Sequence, residues 1–309
     1  MASQKLTARA VRDYVMQVAR KVLRRNPDQI RRRGGGLTNL VYQVDLDDRS
    51  VIVRINADPQ KLQVFERERR AMKLARDARL PVARVVHVGA DPHPFMVLEN
   101  VRGTVGTHAN DRVGTVRQMG EITARIHRIQ MRGFGPAAVD AALAPGTARR
   151  HSWGAHLEAD LHASQRIATL ERLGMFLPDN ADKMRQILAH MSTWRRNPVL
   201  HHGDMRLKNV IVDQHGQIAA VLDWEHCTSS VPALWDLSLA LHDLTIDEKQ
   251  AFLQGYGYGP RELTKSIGYM RLLNALNYAP FIAAMAERNE MARLNWHRAR
   301  FAGDFNLYQ

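Results

Sequence analysis

The residues of this chain best placed to do chemistry lie between His201 and Glu225. Asp204 precedes Asn209 by five residues and Asp223 follows fourteen later, within His201-His202-Gly203-Asp204-Met205-Arg206-Leu207-Lys208-Asn209, Val210 to Val212, Ile218 to Leu222 and Asp223-Trp224-Glu225. The β-rich runs flank a turn near Gly216 and predict an antiparallel hairpin, with Asn209 seven residues before the turn and Asp223 seven after it. In a regular register those two positions face each other at the open end, with Cβ atoms roughly 5 Å apart. One cation can then be reached by both. Asp204 lies on the irregular segment feeding the first strand, so its carboxylate can point to the same end. Transfer of a nucleotide's γ-phosphoryl needs such a set: oxygen ligands for Mg²⁺, and one carboxylate to orient the attacking hydroxyl and accept its proton. The Asp204 to Asn209 step matches the Asp-x-x-x-x-Asn of kinase catalytic loops, and Asp223 stands where the kinase metal-binding Asp would be.

The elements that must hold this set differ between the two parts of the chain. In the first hundred residues an amphipathic helix is predicted from Val11, Tyr14, Val15, Val18, Val22 and Leu23, which recur at three- and four-residue steps. The glycine cluster Gly34 to Gly36 follows, then the runs Leu40 to Leu46 and Ser50 to Ile55, which read as a hairpin. A helix over Phe65 to Ala78, the β-branched run Val82 to Val88 and the apolar run Phe95 to Leu98 complete a small sheet-based lobe, set at residues 1–99. From Val113 onward, Val116, Met119, Ile122, Ile126 and Ile129 mark one helical face, and helix predominates to the end, so residues 100–309 form a larger lobe carrying the loop and a substrate pocket. The fold class is α+β, with the ligand cleft between lobes.

Composition narrows the function. A chain of 309 residues with 45% hydrophobic and 24% charged residues is that of a two-lobed globular protein. Its single cysteine, Cys227, excludes a disulfide framework or cysteine-rich metal site and suits the cytoplasm. Neither a signal peptide nor a membrane span is expected: the longest apolar candidate, Ile267 to Ala286, is broken by Arg271, Asn274, Asn277 and Pro280 and reads as buried helix. The net charge of +13 is concentrated before residue 34, with Arg31 to Arg33 at its end. It reads as the solvated face of the first helix, nonspecific contact with a polyanion being the other reading and nucleic acid the weaker partner. His151, His156 and His162 are five and six residues apart, not the four that align zinc ligands on a helix, and are assigned to surface or packing. A P-loop is excluded because no Gly-Lys-Ser/Thr follows the glycines.

Taken together, His202-Gly203-Asp204, Asn209 and Asp223-Trp224 resemble the aminoglycoside phosphotransferase and choline kinase family, whose loop reads His-Gly-Asp-x-x-x-x-Asn and whose metal Asp is often followed by Trp. The resemblance covers most of the chain, including Val53-Arg54-Ile55-Asn56, Leu80-Pro81-Val82, Gly133-Phe134-Gly135-Pro136 and Gly216 to Trp224. It implies a protein-kinase-like bilobal fold, ATP or GTP as donor, Mg²⁺ on Asn209 and Asp223, and Asp204 as the catalytic carboxylate. Gly35, Gly36 and Thr38 would form the nucleotide-covering turn, and Glu99 and Val101 would hold the adenine through backbone groups. Arg54 would grip phosphate and Glu68 would hold Arg54, an arginine where protein kinases have lysine. Asp236, in Leu234-Trp235-Asp236-Leu237, would support the loop, while Arg206 and Lys208 face substrate, phosphate or solvent. Gly203 replaces the arginine with which protein kinases grip a phosphorylated activation loop, and the stretch from Asp223 to Asp236 is short. Both features point to a small-molecule acceptor. Aminoglycosides, other antibiotics, amino alcohols and sugars stay open, because the C-terminal region lacks the acidic cluster that polycations favour. An inactive nucleotide-binding or polyanion-binding protein is the alternative.

Overall fold

In the computed structural model, which describes residues 8–34, 39–141, 150–176 and 178–303, the first helix packs against a sheet. Helix α1 (Ala8–Leu23) buries Val11, Tyr14, Val15 and Val18, and with them it covers Tyr42, Val44, Val53, Ile55, Phe95 and Val97. These residues belong to an antiparallel sheet of β1 (Gln29–Arg33), β2 (Leu40–Asp45), β3 (Ser50–Ile55), β4 (Val85–Ala90) and β5 (Pro94–Glu99), ordered β1-β2-β3-β5-β4. Because side chains alternate along a strand, the opposite face of β3 is left to carry Ile52 and Arg54 toward the rest of the molecule.

Two expectations are corrected here. Arg31 to Arg33 do not extend the basic face of α1: they form edge strand β1, where Arg31 pairs with Gln43 and Arg33 with Val41 in the ladder. Backbone pairing with β2, an ion pair from Arg31 to Asp45 at 2.6 Å and a hydrogen bond from Arg33 Nε to Gln43 at 3.0 Å outweigh the poor strand propensity of the triplet. The helix expected from Phe65, α2 (Lys61–Asp77), starts a turn earlier, after Asp58 accepts from the backbone N–H of Gln60 and Lys61. Its buried stripe is Phe65, Glu68, Ala71, Met72 and Ala75, so one carboxylate rides in an apolar face.

After β6 (Thr104–Val105) the chain is mainly helical: α3 (Arg112–Ile126), α4 (Pro136–Ala141), α5 (Trp153–Ala159), α6 (Ala163–Arg172) and α7 (Pro178–Ser192). Strands β7 (Val199–His201) and β10 (Thr228–Ser230) pair in one sheet, β8 (Val210–Val212) and β9 (Ile218–Val221) join β6 in another, and α8 (Leu234–Ala240), α9 (Ile246–Tyr256), α10 (Pro260–Glu287) and α11 (Met291–Gly303) follow. The stripe Val116, Met119, Ile122 and Ile126 of α3 is buried as its spacing predicts. Pro280 does not break α10. Proline removes the donor that would satisfy the carbonyl of Leu276, and Arg166 Nη1 supplies it instead at 2.8 Å. Cys227 is buried and free, and no helix among the described residues is long and apolar enough to cross a membrane.

Candidate active site

Strand β7 delivers His201 into a loop that one buried carboxylate fixes from below. Asp236, at the start of α8, accepts from the backbone N–H of His202 at 2.9 Å and of Gly203 at 2.7 Å. Burial works to raise its pKa, but contacts with His201 and His127 outweigh burial and hold it well below the usual carboxylate range. His127 reaches the same carboxylate at 3.1 Å and uses its other ring nitrogen on the Tyr256 hydroxyl at 2.8 Å. Gly203 has φ +83°, and a Cβ there would overlap the carbonyl oxygen of His226, so only glycine lets the chain pass. His202 braces the far side. The Asp204 N–H donates to its Nδ1 at 3.2 Å, which leaves Nε2 as the donor to the Leu222 carbonyl at 2.9 Å.

Asp204, 8% exposed, emerges from this scaffold. Asn209 Nδ2 donates to its main-chain carbonyl at 2.8 Å and to its Oδ2 at 2.9 Å. Arg206 Nε lies 2.7 Å from Oδ1 and Lys208 Nζ 3.1 Å from Oδ2. Burial would raise the Asp204 pKa; the two cations more than offset it and keep the carboxylate ionised. The hairpin joins Asn209 and Asp223 as expected but in another register. Val210 pairs with Val221 and Ile211 with Ala220, with a shift at Val212, and Leu222 N–H donates to the Asn209 carbonyl at 2.7 Å. Leu222 is therefore the residue opposite Asn209, because the turn is a residue asymmetric. Asp223 then leaves the ladder at φ +61° with its side chain 35% exposed. With Nδ2 engaged on Asp204, Asn209 has its Oδ1 and Asp223 its carboxylate to offer, hard oxygen donors of the kind that could hold Mg²⁺.

Arg54, on β3, binds Glu68 Oε2 of α2 at 2.6 Å and reaches Asp223 Oδ1 at 3.4 Å. Burial pushes the Glu68 carboxyl up to about 7 against the pull of Arg54. Lys61, at the start of α2, pairs with Glu225 at 2.9 Å, so two ion pairs link the sheet and α2 to the Asp223 turn. Oxygens of Glu68, Asp223 and Glu225 all lie within 4.8 Å of one another. Sequence reasoning gave no role to Glu225 or Lys61; the Asp-Trp-Glu step was visible, but the approach of Lys61 from a distant helix was not. Gly35, Gly36 and Thr38 lie outside the described residues. Glu99 accepts from the Arg84 N–H at 3.4 Å with its carboxylate. Val101 lines a cavity of about 480 Å³ whose other walls include Arg31, Arg33 and Gln43. Arg31 and Arg33, read as solvated, thus line this cavity while remaining exposed.

A second cavity, of about 400 Å³, opens at Gly203 and Asp204 and runs between α8 and α10. His156 lines it while buried against Asp160 at 2.9 Å, a packing residue as its spacing suggested.

An antiparallel sheet with one flanking helix, a mainly helical second part, and a His-Gly-Asp loop facing an Asp at the end of a hairpin define the protein-kinase-like architecture of small-molecule phosphotransferases. A family model for the phosphotransferase enzyme family matches residues 29–270, and the chain belongs to that family. Among solved structures it is similar to a thermostable aminoglycoside phosphotransferase APH(4)-Ia in ternary complex with AMP-PNP and hygromycin B, at 17% identity and TM-score 0.69, covering 95% of this chain and 98% of that one. It is also similar to the macrolide 2'-phosphotransferase MphH from Brachybacterium faecium, at 20% identity and TM-score 0.61, covering 94% and 98%. A GDP and kanamycin complex of APH(2")-IIia matches at 13% identity and TM-score 0.68, covering 94% and 98%. No curated protein sequence matches the chain.

Proposed function

We propose that this chain transfers the γ-phosphoryl of a Mg-nucleotide to a hydroxyl of a small molecule, with residues 1–99 holding the nucleotide and residues 100–309 the acceptor. The observation that carries this reading is the setting of Asp204: an ionised, nine-tenths buried carboxylate pinned by Asn209, at the mouth of a cavity. Asp204 orients the acceptor hydroxyl by accepting its hydrogen bond. As the new O–P bond forms and the bond from γ-phosphorus to the bridging oxygen breaks, the hydroxyl proton passes to Asp204 and the nucleoside diphosphate leaves. Asn209 and Asp223 would hold Mg²⁺, which, when bound, neutralises charge on the phosphate oxygens. Arg54, released from Asp223, would turn to a phosphate oxygen while Glu68 keeps it in place. Nucleotides in the neighbouring complexes support the donor. The same family membership, with the three acidic and amide groups intact, weighs against a nucleotide-binding protein without turnover.

The test is Mg-dependent transfer from ATP and GTP to aminoglycosides, amino alcohols and sugars, with Asp204→Asn beside the wild type. Loss of transfer in the variant with retained nucleotide binding is expected; transfer at wild-type rate by Asp204→Asn would refute the role given to Asp204.

A further inference from the structure

The walls of the 400 Å³ cavity differ from what a polycationic sugar requires. Among its described lining residues Asp204 is the single carboxylate, and Arg206 and Lys208 already lie against it at 2.7 and 3.1 Å. Asp243 stands behind Arg206 at 3.2 Å and does not line the space. His226 and His297 add no negative charge. Bringing several ammonium groups into such a site would desolvate them with only one carboxylate, already paired with two cations, to receive them, a cost that grows with each charge.

What the walls do offer is apolar surface. Tyr278, Phe281 and Met285 recur at steps of three and four along α10, so they present one face, and Trp235 and Leu239 do the same on α8. Phe281 is 58% exposed, whereas Met285 and Leu239 are buried and Tyr278 and Trp235 half-buried. An isolated exposed phenylalanine needs no explanation, but one rimming a cavity that already holds a tryptophan and a tyrosine is a contact surface. A second observation is independent of the apolar wall. Ser230 lines the same cavity at 1% exposure, and its Oγ is buried with no hydrogen-bond partner. A buried hydroxyl left without a partner costs free energy unless a ligand group meets it. Asn277 supplies a further polar group on the α10 side.

We infer that the acceptor is an amphipathic alcohol without ammonium groups, its aromatic or alicyclic body against Trp235, Tyr278 and Phe281, a polar substituent on Ser230, and its reacting hydroxyl at Asp204. This rests on the phosphotransferase reading and narrows its acceptor. The neighbours that bind hygromycin B or kanamycin share the scaffold, but at 13–17% identity the scaffold does not carry the walls of the pocket.

The probe is 4-methylumbelliferyl β-D-glucoside, a fluorescent aryl sugar with several hydroxyls and no charge, titrated into the full-length protein by fluorescence anisotropy, with kanamycin and hygromycin B titrated separately by calorimetry. Saturable binding of the aryl sugar is expected, undisplaced by either aminoglycoside. Phe281→Asp, at an exposed position, should weaken it at least ten-fold. Ser230→Ala should weaken it while raising the melting temperature, an outcome that a purely structural hydroxyl would not give. Binding of an aminoglycoside in place of the aryl sugar, or no binding of the aryl sugar at all, overturns the inference, as do unchanged affinities in both variants. AMP-PNP binding with Mg²⁺ is measured alongside. Its absence would remove the phosphotransferase reading, whereas nucleotide binding without aryl-sugar binding removes the acceptor inference alone.

Discussion

Asn209 grips Asp204 at both ends, donating from one amide nitrogen to the main-chain carbonyl at 2.8 Å and to the carboxylate at 2.9 Å. The amide is thereby oriented, and its carbonyl oxygen is not used on Asp204. On the proposed function, a single residue would both set the catalytic carboxylate and offer a cation ligand, which ties the five-residue spacing to both tasks.

Asn209→Ala removes both functions at once. Loss of positioned proton transfer typically costs about 10²–10⁴-fold in rate, and kcat should fall in that range. The loss of two hydrogen bonds to Asp204 should cost a further ~1–3 kcal/mol of stability. Steady-state kinetics across a Mg²⁺ titration checks the first part: the variant should need more Mg²⁺ for half-maximal rate, and an unchanged requirement would exclude Asn209 as a ligand.

Arg54 and Glu68 predict an asymmetric pair of substitutions. Arg54→Met strips the guanidinium that faces the cleft, so the KM for nucleotide should rise at least ten-fold. Its stability cost should stay near the lower end of the ~3–5 kcal/mol expected on breaking a buried ion pair, because a carboxyl already raised to about 7 can take a proton when its partner goes. Glu68→Gln leaves Arg54 a neutral acceptor and should raise the KM less. Thermal melts and nucleotide titrations on both variants decide it; equal KM values would contradict the division of roles.

Gly203 is where the loop passes under the His226 carbonyl at positive φ. Gly203→Ala should lose more than the ~1–2 kcal/mol of a left-handed alanine, since its Cβ also meets a backbone oxygen that cannot swing aside. Denaturant unfolding measures the loss. A variant as stable as wild type would mean the His226 segment yields freely.

The legible part of this protein was whatever short range dictates. The α1 and α3 stripes, the β2–β3 hairpin and the approach of Asn209 to Asp204 all follow from side-chain period and local turns, and they stand where they were expected. Edge strand β1 was missed because three consecutive arginines carry no strand signal; Asp45 and Gln43 supply it from the neighbouring strand. The one-residue register difference at Asn209 came from a turn centred on His215 instead of Gly216, which the ladder shift at Val212 only half restores. Lys61 against Glu225, Arg166 on the carbonyl freed by Pro280, and the unpartnered Ser230 hydroxyl are all tertiary encounters, joining segments with no shared pattern.

The brace beneath the loop gives a pH dependence with a definite sign. Burial, together with the neighbouring His201, lowers the His127 pKa to about 4 against the hydrogen bond and charge of Asp236, so this histidine is neutral in the folded protein. In the unfolded chain it titrates near 6.5. Between those values the unfolded state binds a proton that the folded state does not, so stability rises with pH across the window and is lost as pH falls from 6.5 toward 4. The slope from one such group approaches ~1.4 kcal/mol per pH unit. Other buried groups, His156 among them, act in the same direction, so the wild type alone cannot isolate the effect. His127→Gln retains an amide that can donate to Asp236 but cannot titrate. Urea unfolding at pH 4.5 and pH 7 should show the wild type losing about 2 kcal/mol more than this variant between the two conditions. Equal losses would mean that His127 is already protonated in the folded state, and that the carboxylate holding His202 and Gly203 is buttressed by an ion pair instead of a neutral ring.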